Sequence, residues 1–496
     1  MKLGLVLEGV PLCAPVAKAD AIEIGGLRCD SRAVQPGDLF FAVNGTKMDG
    51  ATFARQAVER GAAAVISEAA MADLGVPTIQ VASTRQAMGL AARNFHRDPA
   101  AVLKLIGVTG TNGKSTTAYL IRHVLNSLGL RCGLLGTIEN DLGDRVEKAH
   151  LTTPDALDLF GYLGHMRDAG CRAAVMETSS HALALDRVAA VDFDVAVMTN
   201  LTQDHLDFHG TMEGYRDAKA KLFTGLGESA TAVLNGADPA AKYFQGVTHA
   251  NILRYGIGSN RQYPLSAQVI AQSVEGTAFR LSFRRRTADV QWKLVGRHNI
   301  ENALAATAAV MSLGVPMHDV AKGLSSFPGV PGRLTRVDEG QPFGIFVDYA
   351  HTDDALRNIL TALRGLTRGR IIAVFGCGGD RDRTKRAKMG AVVEQLADLP
   401  VVTSDNPRSE NPVQIVAEVL RGMKFPQRAL VEVDRAQAIA RAVGQAQIGD
   451  VVVIAGKGHE DYQIFADRTI QFDDCQVAAA AVQALGLTAA ASRKTA

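Results

Sequence analysis

The stretch Val102-Leu103-Lys104-Leu105-Ile106-Gly107-Val108-Thr109-Gly110-Thr111-Asn112-Gly113-Lys114-Ser115 decides the fold of this chain. Val102 to Val108 reads as a buried strand, and a glycine-rich turn follows directly. From Thr116 to Leu128 the apolar residues take helical spacing. Strand, glycine loop and helix together are the setting of a nucleotide-binding phosphate loop. The glycines let backbone N–H groups approach phosphate oxygens at a helix N-terminus. Lys114 can neutralise the outer phosphates, and Ser115 can ligand Mg²⁺. The strict pattern GxxxxGK would put glycine where Val108 stands, so the reading rests on the flanks. The plainer alternative is an ordinary glycine turn before a helix.

Outward from this stretch, β-rich runs alternate with Ala/Leu-rich helical segments, as in α/β proteins with parallel sheets. Ala173 to Met176, Val195 to Met198, Ile371 to Phe375 and Val451 to Ile454 are examples of the runs. At 496 residues several domains are expected. The cluster Phe327-Pro328-Gly329-Val330-Pro331-Gly332 is the best linker candidate. The expected divisions are 1–99, 100–331 and 332–496, with a disordered tail from Ala489 to Ala496. With 53 Lys+Arg against 51 Asp+Glu the charge is nearly balanced, and aromatics are only 5%, so a nucleic-acid partner is not expected. The six cysteines (Cys13, Cys29, Cys132, Cys171, Cys377, Cys475) form no CxxC pair, which suggests neither zinc nor disulfides. Glu8 and Pro11 interrupt the apolar start, and no run approaches the roughly 18 residues of a membrane span. A cytoplasmic enzyme without membrane insertion is expected.

Two strand ends carry chemistry. Glu177-Thr178-Ser179-Ser180-His181 follows one strand, and a carboxylate there sits where open α/β sheets bind ligands. Glu177 could hold a magnesium ion, or be incidental beside a helix cap. Asp204-His205-Leu206-Asp207-Phe208-His209 follows another strand and suggests metal or phosphate chemistry, or simply a polar loop. In the helix-like Tyr215 to Phe223, Lys219 lies on one face with Tyr215 and Phe223. A lysine there can snorkel; it can also, as a neutral amine, take up CO₂ and ligand metal as a carbamate.

TGTNGKST (109–116), METSSH (176–181), TNLTQDHLDFHG (199–210), YRDAKAKLF (215–223), GRHNIENALAA (296–306), PGRL (331–334) and VDYAHT (347–352) stand in the order seen in Mur ligases, and the chain resembles that family over nearly its whole length. DSRAVQPGDLFFAVNGTKMDG (30–50), LTTP (151–154), GCGGDRDRTKR (376–386), SDNPRSENP (404–412) and AGKGHEDYQ (455–463) resemble the members that add diaminopimelate. The resemblance implies three domains: a uridine-binding one, a central P-loop ATPase-type parallel sheet, and a C-terminal Rossmann-like domain that binds the incoming amino acid. It implies an ATP-dependent ligase that joins meso-diaminopimelate to UDP-MurNAc-L-Ala-D-Glu through an acyl phosphate, in peptidoglycan precursor synthesis. A monomer is expected.

The resemblance also implies roles. Gly110, Thr111, Asn112, Gly113, Lys114, Ser115 and Thr116 would bind ATP, with Asn299 and Asn302 near the adenine. Arg333 and Asp348 would close on ATP from the third domain. Glu177 and His205 would bind magnesium, and Lys219 would be carbamylated. Cys29, Ser31 and Thr46-Lys47-Met48 match uridine-site positions, and Thr152, Thr153, Ser179 and Arg187 match positions around the muramoyl peptide. Leu185 replaces a common glutamine, and Asp353 replaces a common proline.

Asp405-Asn406-Pro407-Arg408 is the family feature associated with diaminopimelate. Arg408 can bind the second carboxylate with two charge-assisted bonds, and lysine would leave it unpaired. Family matching adds Arg386, Gly456 and Glu460, the last facing the far ammonium. Competing readings are a lysine-adding ligase, a folylpolyglutamate synthase, and a P-loop NTPase switch that hydrolyses ATP without an acceptor.

Overall fold

The computed structural model describes residues 1–45, 49–259 and 261–486. Thr46, Lys47, Met48 and the tail from Ala489 to Ala496 lie outside the described residues. The chain forms two compact units: Met1–Ala267 with Leu281–Ala288 and Glu301–Leu324, and Gln268–Arg280 with Asp289–Ile300 and Ser325–Ala496.

In the first unit, β1 (Gly26–Arg28), β2 (Asp38–Ala42), β3 (Ala64–Ser67) and β4 (Thr78–Gln80) form a parallel sheet in chain order. The larger sheet uses β5 (Lys104–Thr109), β6 (Cys132–Leu135), β7 (Glu139–Asp141), β8 (Val146–Lys148), β9 (Ala173–Glu177), β10 (Val195–Met198), β11 (Thr231–Asn235) and β12 (Asn251–Ile257), ordered β12-β11-β10-β5-β9-β6-β7-β8. β5 is buried from Leu105 onward and pairs in parallel with β9 and β10. Its unbroken apolar run is what a strand covered on both faces requires. From β5 the chain goes out to β6, returns to β9, and then crosses to β10 on the other side. That reversal opens a crevice at the C-terminal ends of β5, β9 and β10, where Gly110, Glu177 and Thr199 lie. A single apolar cluster joins Leu39 and Ile66 of the small sheet to Ala91, Ala92, Leu159, Phe160 and Leu105.

Next in the chain come β13 (Leu265–Ser273), β14 (Gly276–Phe283) and β15 (Arg286–Trp292). In the second unit, β16 (Thr335–Arg336), β17 (Gly344–Asp348), β18 (Ile371–Phe375), β19 (Leu399–Val402), β20 (Leu430–Val431) and β21 (Val451–Ala455) are ordered β16-β17-β21-β18-β19-β20, all parallel except β16. Alternate residues serve opposite cores. Phe346, Ala373, Phe375 and Val453 meet Leu356, Leu360, Val393 and Val419 on one face. Ile345, Ile372, Val374 and Val452 meet Ala438, Ala442, Ala478 and Val482 on the other. A period of two with apolar residues on both faces makes a doubly wound sheet. Asp353 opens the helix Asp353–Arg364, capped by Thr352, where a carboxylate complements the helix dipole. The acidic residue thus replaces proline at a position that suits either.

Candidate active site

The loop after β5 needs its glycines. Gly110 has φ +148°, and a Cβ there would lie 1.8 Å from Thr199 Oγ1; Gly113 has φ +85°, and its Cβ would lie 2.3 Å from Asn302 Oδ1. The segment after β10 holds the loop open from outside. Thr111 N–H donates to the Asn200 carbonyl (2.9 Å), and Asn112 N–H to Asn200 Oδ1 (2.9 Å). Asn200 Nδ2 and Thr199 Oγ1 both donate to the Asn112 carbonyl, at 3.0 and 2.6 Å. Lys114 Nζ donates to the carbonyls of Gly110 and Thr111 (3.0 and 2.9 Å), folded over the loop it belongs to. Lys114, Ser115 and Thr116 open the helix Lys114–Ser127 behind Gly113. Asn302 lies against Gly113 in this unit, whereas Asn299 belongs to the second unit, its Nδ2 donating to the Val295 carbonyl.

Glu177 ends β9 only 1% exposed. Its Oε2 accepts from Ser115 Oγ at 2.9 Å and Thr137 Oγ1 at 3.2 Å, and its Oε1 accepts from Thr137 N–H at 2.9 Å. Among the described residues, no three His, Cys, Asp or Glu side chains gather into a metal cage. The donor set nevertheless fits magnesium, which takes one or two carboxylates and completes its shell with phosphates and water. Ser115 and Glu177 supply hard oxygen donors beside the phosphate loop.

Lys219 is 1% exposed in the helix Met212–Thr224. Its Nζ donates to the Gly110 carbonyl at 2.9 Å and lies 4.5 Å from the Tyr215 ring centre. Burial, reinforced by the Lys114 ammonium, holds the amine well below the usual lysine range. Tyr215 OH shares a 3.2 Å hydrogen bond with Thr111 Oγ1. His205 takes φ +52° and lies 3.4 Å from Asp204 through Nε2. The His181 ring packs against those of His205 (4.8 Å), Phe208 (4.3 Å) and His209 (5.5 Å).

Next to Glu177, Thr153 Oγ1 donates to its carbonyl (2.7 Å) and accepts from Ser179 N–H (3.0 Å), while Arg187 Nη1 donates to the Thr153 carbonyl (2.9 Å). Thr152 Oγ1 accepts from Thr137 Oγ1 at 3.1 Å. Thr152, Thr153, Ser179 and Arg187 therefore form one polar patch. Ser31 Oγ donates to Gln56 Oε1 at 2.7 Å. Cys29 is exposed as a residue but its sulfur is sheltered, and burial followed by Asp155 and Asp158 pushes the thiol up to about 11.

In the second unit, Arg333 lies over the Tyr349 ring at 4.9 Å. Asp348 accepts from Leu334 N–H (2.7 Å) and Ala350 N–H (2.8 Å), and burial raises its carboxyl against the pull of Arg333. Asp405 and Asn406 are buried beside Gly456, whose Cβ would lie 2.6 Å from Asp405 Oδ2. Asn406 Nδ2 donates to Glu460 Oε2 (2.7 Å), and the buried Lys457 Nζ donates to Asn406 Oδ1 (3.0 Å). Pro407 brings its carbonyl within 1.8 Å of where a Gly379 Cβ would stand. Arg408 Nη1 donates to the Gly379 carbonyl at 2.8 Å. Arg386 is fully buried and held by Glu410 and Glu418 (2.8 Å each).

Three family models match the chain: "Mur ligase family, catalytic domain" over residues 23–96, "Mur ligase middle domain" over 108–310, and "Mur ligase, glutamate ligase domain" over 332–458. A protein of Solibacter usitatus (strain Ellin6076) named UDP-N-acetylmuramoyl-L-alanyl-D-glutamate–2,6-diaminopimelate ligase is 48% identical over 98% of this chain and 99% of its own. One of the same name from Geobacillus thermodenitrificans (strain NG80-2) is 47% identical over 93% and 95%. The chain belongs to the Mur ligase family. A solved structure bearing that enzyme name matches this Mur ligase with a TM-score of 0.73 at 34% identity, covering 98% and 99% of the two chains. The MurF ligase of Thermotoga maritima in complex with ADP shares the fold, with a TM-score of 0.60 at 20% identity and cover of 93% and 97%.

Two site residues of this Mur ligase escape a reading of the sequence alone. Asn200 shapes the phosphate loop, and Thr137 steadies Glu177. Each acts across a long sequence separation through backbone groups, so no local pattern announces it. The TN of TNLTQDH and the strand end before Thr137 are the available signals.

Proposed function

We propose that this Mur ligase joins meso-2,6-diaminopimelate to the D-glutamyl γ-carboxylate of UDP-MurNAc-L-Ala-D-Glu, driven by ATP, in peptidoglycan precursor synthesis. The observation that carries this reading is the pair of relatives at 48% and 47% identity, which bear that activity in their names across nearly full length. The γ-carboxylate oxygen attacks the γ-phosphorus, the bond to the β-phosphate oxygen breaks, and an acyl phosphate and ADP result. The neutral amine of diaminopimelate then attacks the acyl carbon, the C–O bond breaks, phosphate leaves, and the nitrogen gives up one proton to become the amide.

Gly110 to Thr116 hold the phosphates, and Lys114 swings from its loop carbonyls to neutralise the transferring group. Asn299, Asn302, Arg333 and Asp348 complete the nucleotide site. Ser115, Glu177, His205 and carbamylated Lys219 would hold Mg²⁺, which supplies charge neutralisation at the phosphates. The burial that weakens the hold of the Lys219 amine on its proton suits it to react with CO₂. Cys29, Ser31 and Thr46 to Met48 take the uridine end, while Thr152, Thr153, Ser179 and Arg187 take the peptide end. Arg408 binds the far carboxylate of diaminopimelate and Glu460 its ammonium, with Arg386, Asp405, Asn406, Pro407 and Gly456 around them. The domains are 1–99, 100–331 and 332–496, and the enzyme is a cytoplasmic monomer. Among the described residues no helix is long and apolar enough to cross a membrane. Incubation with ATP, Mg²⁺, UDP-MurNAc-L-Ala-D-Glu and diaminopimelate tests the proposal: the mass of the UDP-linked tripeptide is expected, and ADP formation without it would contradict the reading.

A further inference from the structure

Arg386 is among the largest fully buried side chains of the protein. Nη1 donates to Glu410 Oε2 (2.9 Å) and Glu418 Oε2 (2.8 Å), and Nη2 donates to Glu410 Oε1 (2.8 Å) and the Gly378 carbonyl (3.1 Å). Nε is buried without a partner among the described residues. Arg386 therefore ties Glu410, Glu418 and the Gly378 carbonyl together. Its principal partner, Glu410, stands two residues after Arg408 and does something Glu418 does not: its Oε1 accepts the Asp380 N–H at 2.7 Å.

That N–H belongs to the same planar trans peptide as the Gly379 carbonyl, and the two point in opposite directions. The Gly379 carbonyl is the acceptor for Arg408 Nη1 at 2.8 Å. Glu410, by holding one end of the 379–380 peptide, fixes the direction in which the other end meets Arg408. Arg408 makes no further side-chain hydrogen bond among the described residues, which leaves its Nε–Nη2 edge, the two-pronged edge that suits a carboxylate, without a partner there. The backbone around this relay is tightly set. Asp380 and Arg408 both have positive φ (54° and 51°), Gly379 N–H donates to the Asn406 carbonyl (2.9 Å), and Ser409 Oγ donates to Asp380 Oδ1 (2.6 Å).

We infer that Glu410 is a positioning residue for acceptor choice: through the Gly379–Asp380 peptide it aims the Arg408 guanidinium at the distal carboxylate of the incoming diamino acid, with Arg386 as its anchor. The inference deepens the diaminopimelate reading and rests on it. Glu418→Ala removes a carboxylate from the same Arg386 but leaves the peptide held, so it separates aiming from mere stability.

The test is steady-state kinetics of the full-length enzyme with diaminopimelate and L-lysine, beside thermal unfolding, for wild type, Glu410→Ala, Glu410→Gln and Glu418→Ala. In Glu410→Ala the KM for diaminopimelate is expected to rise about tenfold or more, as for a lost charge-assisted bond. The KM for ATP and for the UDP-dipeptide should stay unchanged, and the preference over lysine should shrink by the same factor. Glu410→Gln keeps an acceptor for the Asp380 N–H and should recover most of the affinity. Glu418→Ala should lower the unfolding temperature without moving that KM. Equal effects of the two alanine variants, or a Glu410→Ala loss confined to kcat, would overturn the inference while a diaminopimelate-selective wild type still supports the function. A wild type that takes lysine as readily would overturn the acceptor reading and the inference with it.

Discussion

Ser115 Oγ donates to Glu177 Oε2 at 2.9 Å, and neither side chain reaches solvent appreciably. One residue opens the helix behind the phosphate loop and the other closes β9, so the pairing of β5 with β9 sets their spacing. The rigid backbone thus brings two hard oxygen donors to the place where the phosphates of a nucleotide would end.

Glu177→Gln keeps the shape and an acceptor for Thr137 but removes the negative charge. The expected outcome is a fall in kcat of about a hundredfold, the scale on which deleting one electrostatic partner of a transition state slows an enzyme. The unfolding temperature should hardly change. Initial rates at saturating ATP and Mg²⁺, beside a melting curve, check both.

Lys219 is walled in, bonded to the Gly110 carbonyl, and burial holds its amine well below the usual lysine range. Lys219→Ala should abolish turnover, and added short-chain carboxylates should restore part of it by standing in for the carbamate. Activity in the variant without any added carboxylate would contradict carbamylation, as would an intact-protein mass lacking CO₂ under native conditions.

Gly110→Ala forces a side chain into φ +148° and against Thr199 Oγ1. ATP affinity by calorimetry should fall tenfold or more, roughly the loss of one or two phosphate-binding N–H bonds. Gly129 is the control. It also has positive φ (+77°) but nothing near its Cβ position, so Gly129→Ala should cost about 1 kcal/mol of stability and leave ATP affinity alone.

The Arg386 guanidinium holds the Glu410 carboxyl down at about 2, from an ordinary 4.5. A carboxyl lowered on folding contributes stability that is present above its unfolded value and lost as pH falls toward its folded one. Arg383 and Glu418 face the same pair. Wild type should therefore exceed Glu410→Gln in unfolding temperature above pH 4.5, and the gap should close as pH drops toward 2. A gap that persists unchanged in acid would contradict the ion pair.

Much of this site was legible in the sequence because its chemistry lies on strand ends. Lys114, Ser115 and Glu177 each follow a recognisable apolar run, and parallel sheets gather such ends at one edge. The apolar runs Ile371 to Phe375 and Val451 to Ile454 likewise pointed to parallel strands, and their residues divide between the two faces of one sheet. Less was legible where one residue acts through the backbone of another. Asn200 shapes the loop of Asn112 across 88 residues, and Glu410 reaches Asp380 across 30. Residue type alone also does not name a side chain's partners within the protein. Arg386 sits in a string associated with substrate, yet its own protein occupies two of its nitrogens with Glu410 and Glu418. Only the packed structure reveals which charges are already spoken for.

The proposed ligase activity is tested most directly by acceptor-dependent phosphate release from ATP with UDP-MurNAc-L-Ala-D-Glu, comparing meso-diaminopimelate, L-lysine and no acceptor. Turnover is expected with diaminopimelate and little with the other two, since lysine would leave the proposed Arg408 contact without its carboxylate. Preference for lysine would contradict the acceptor assignment, and phosphate release without any acceptor would contradict the ligase mechanism itself.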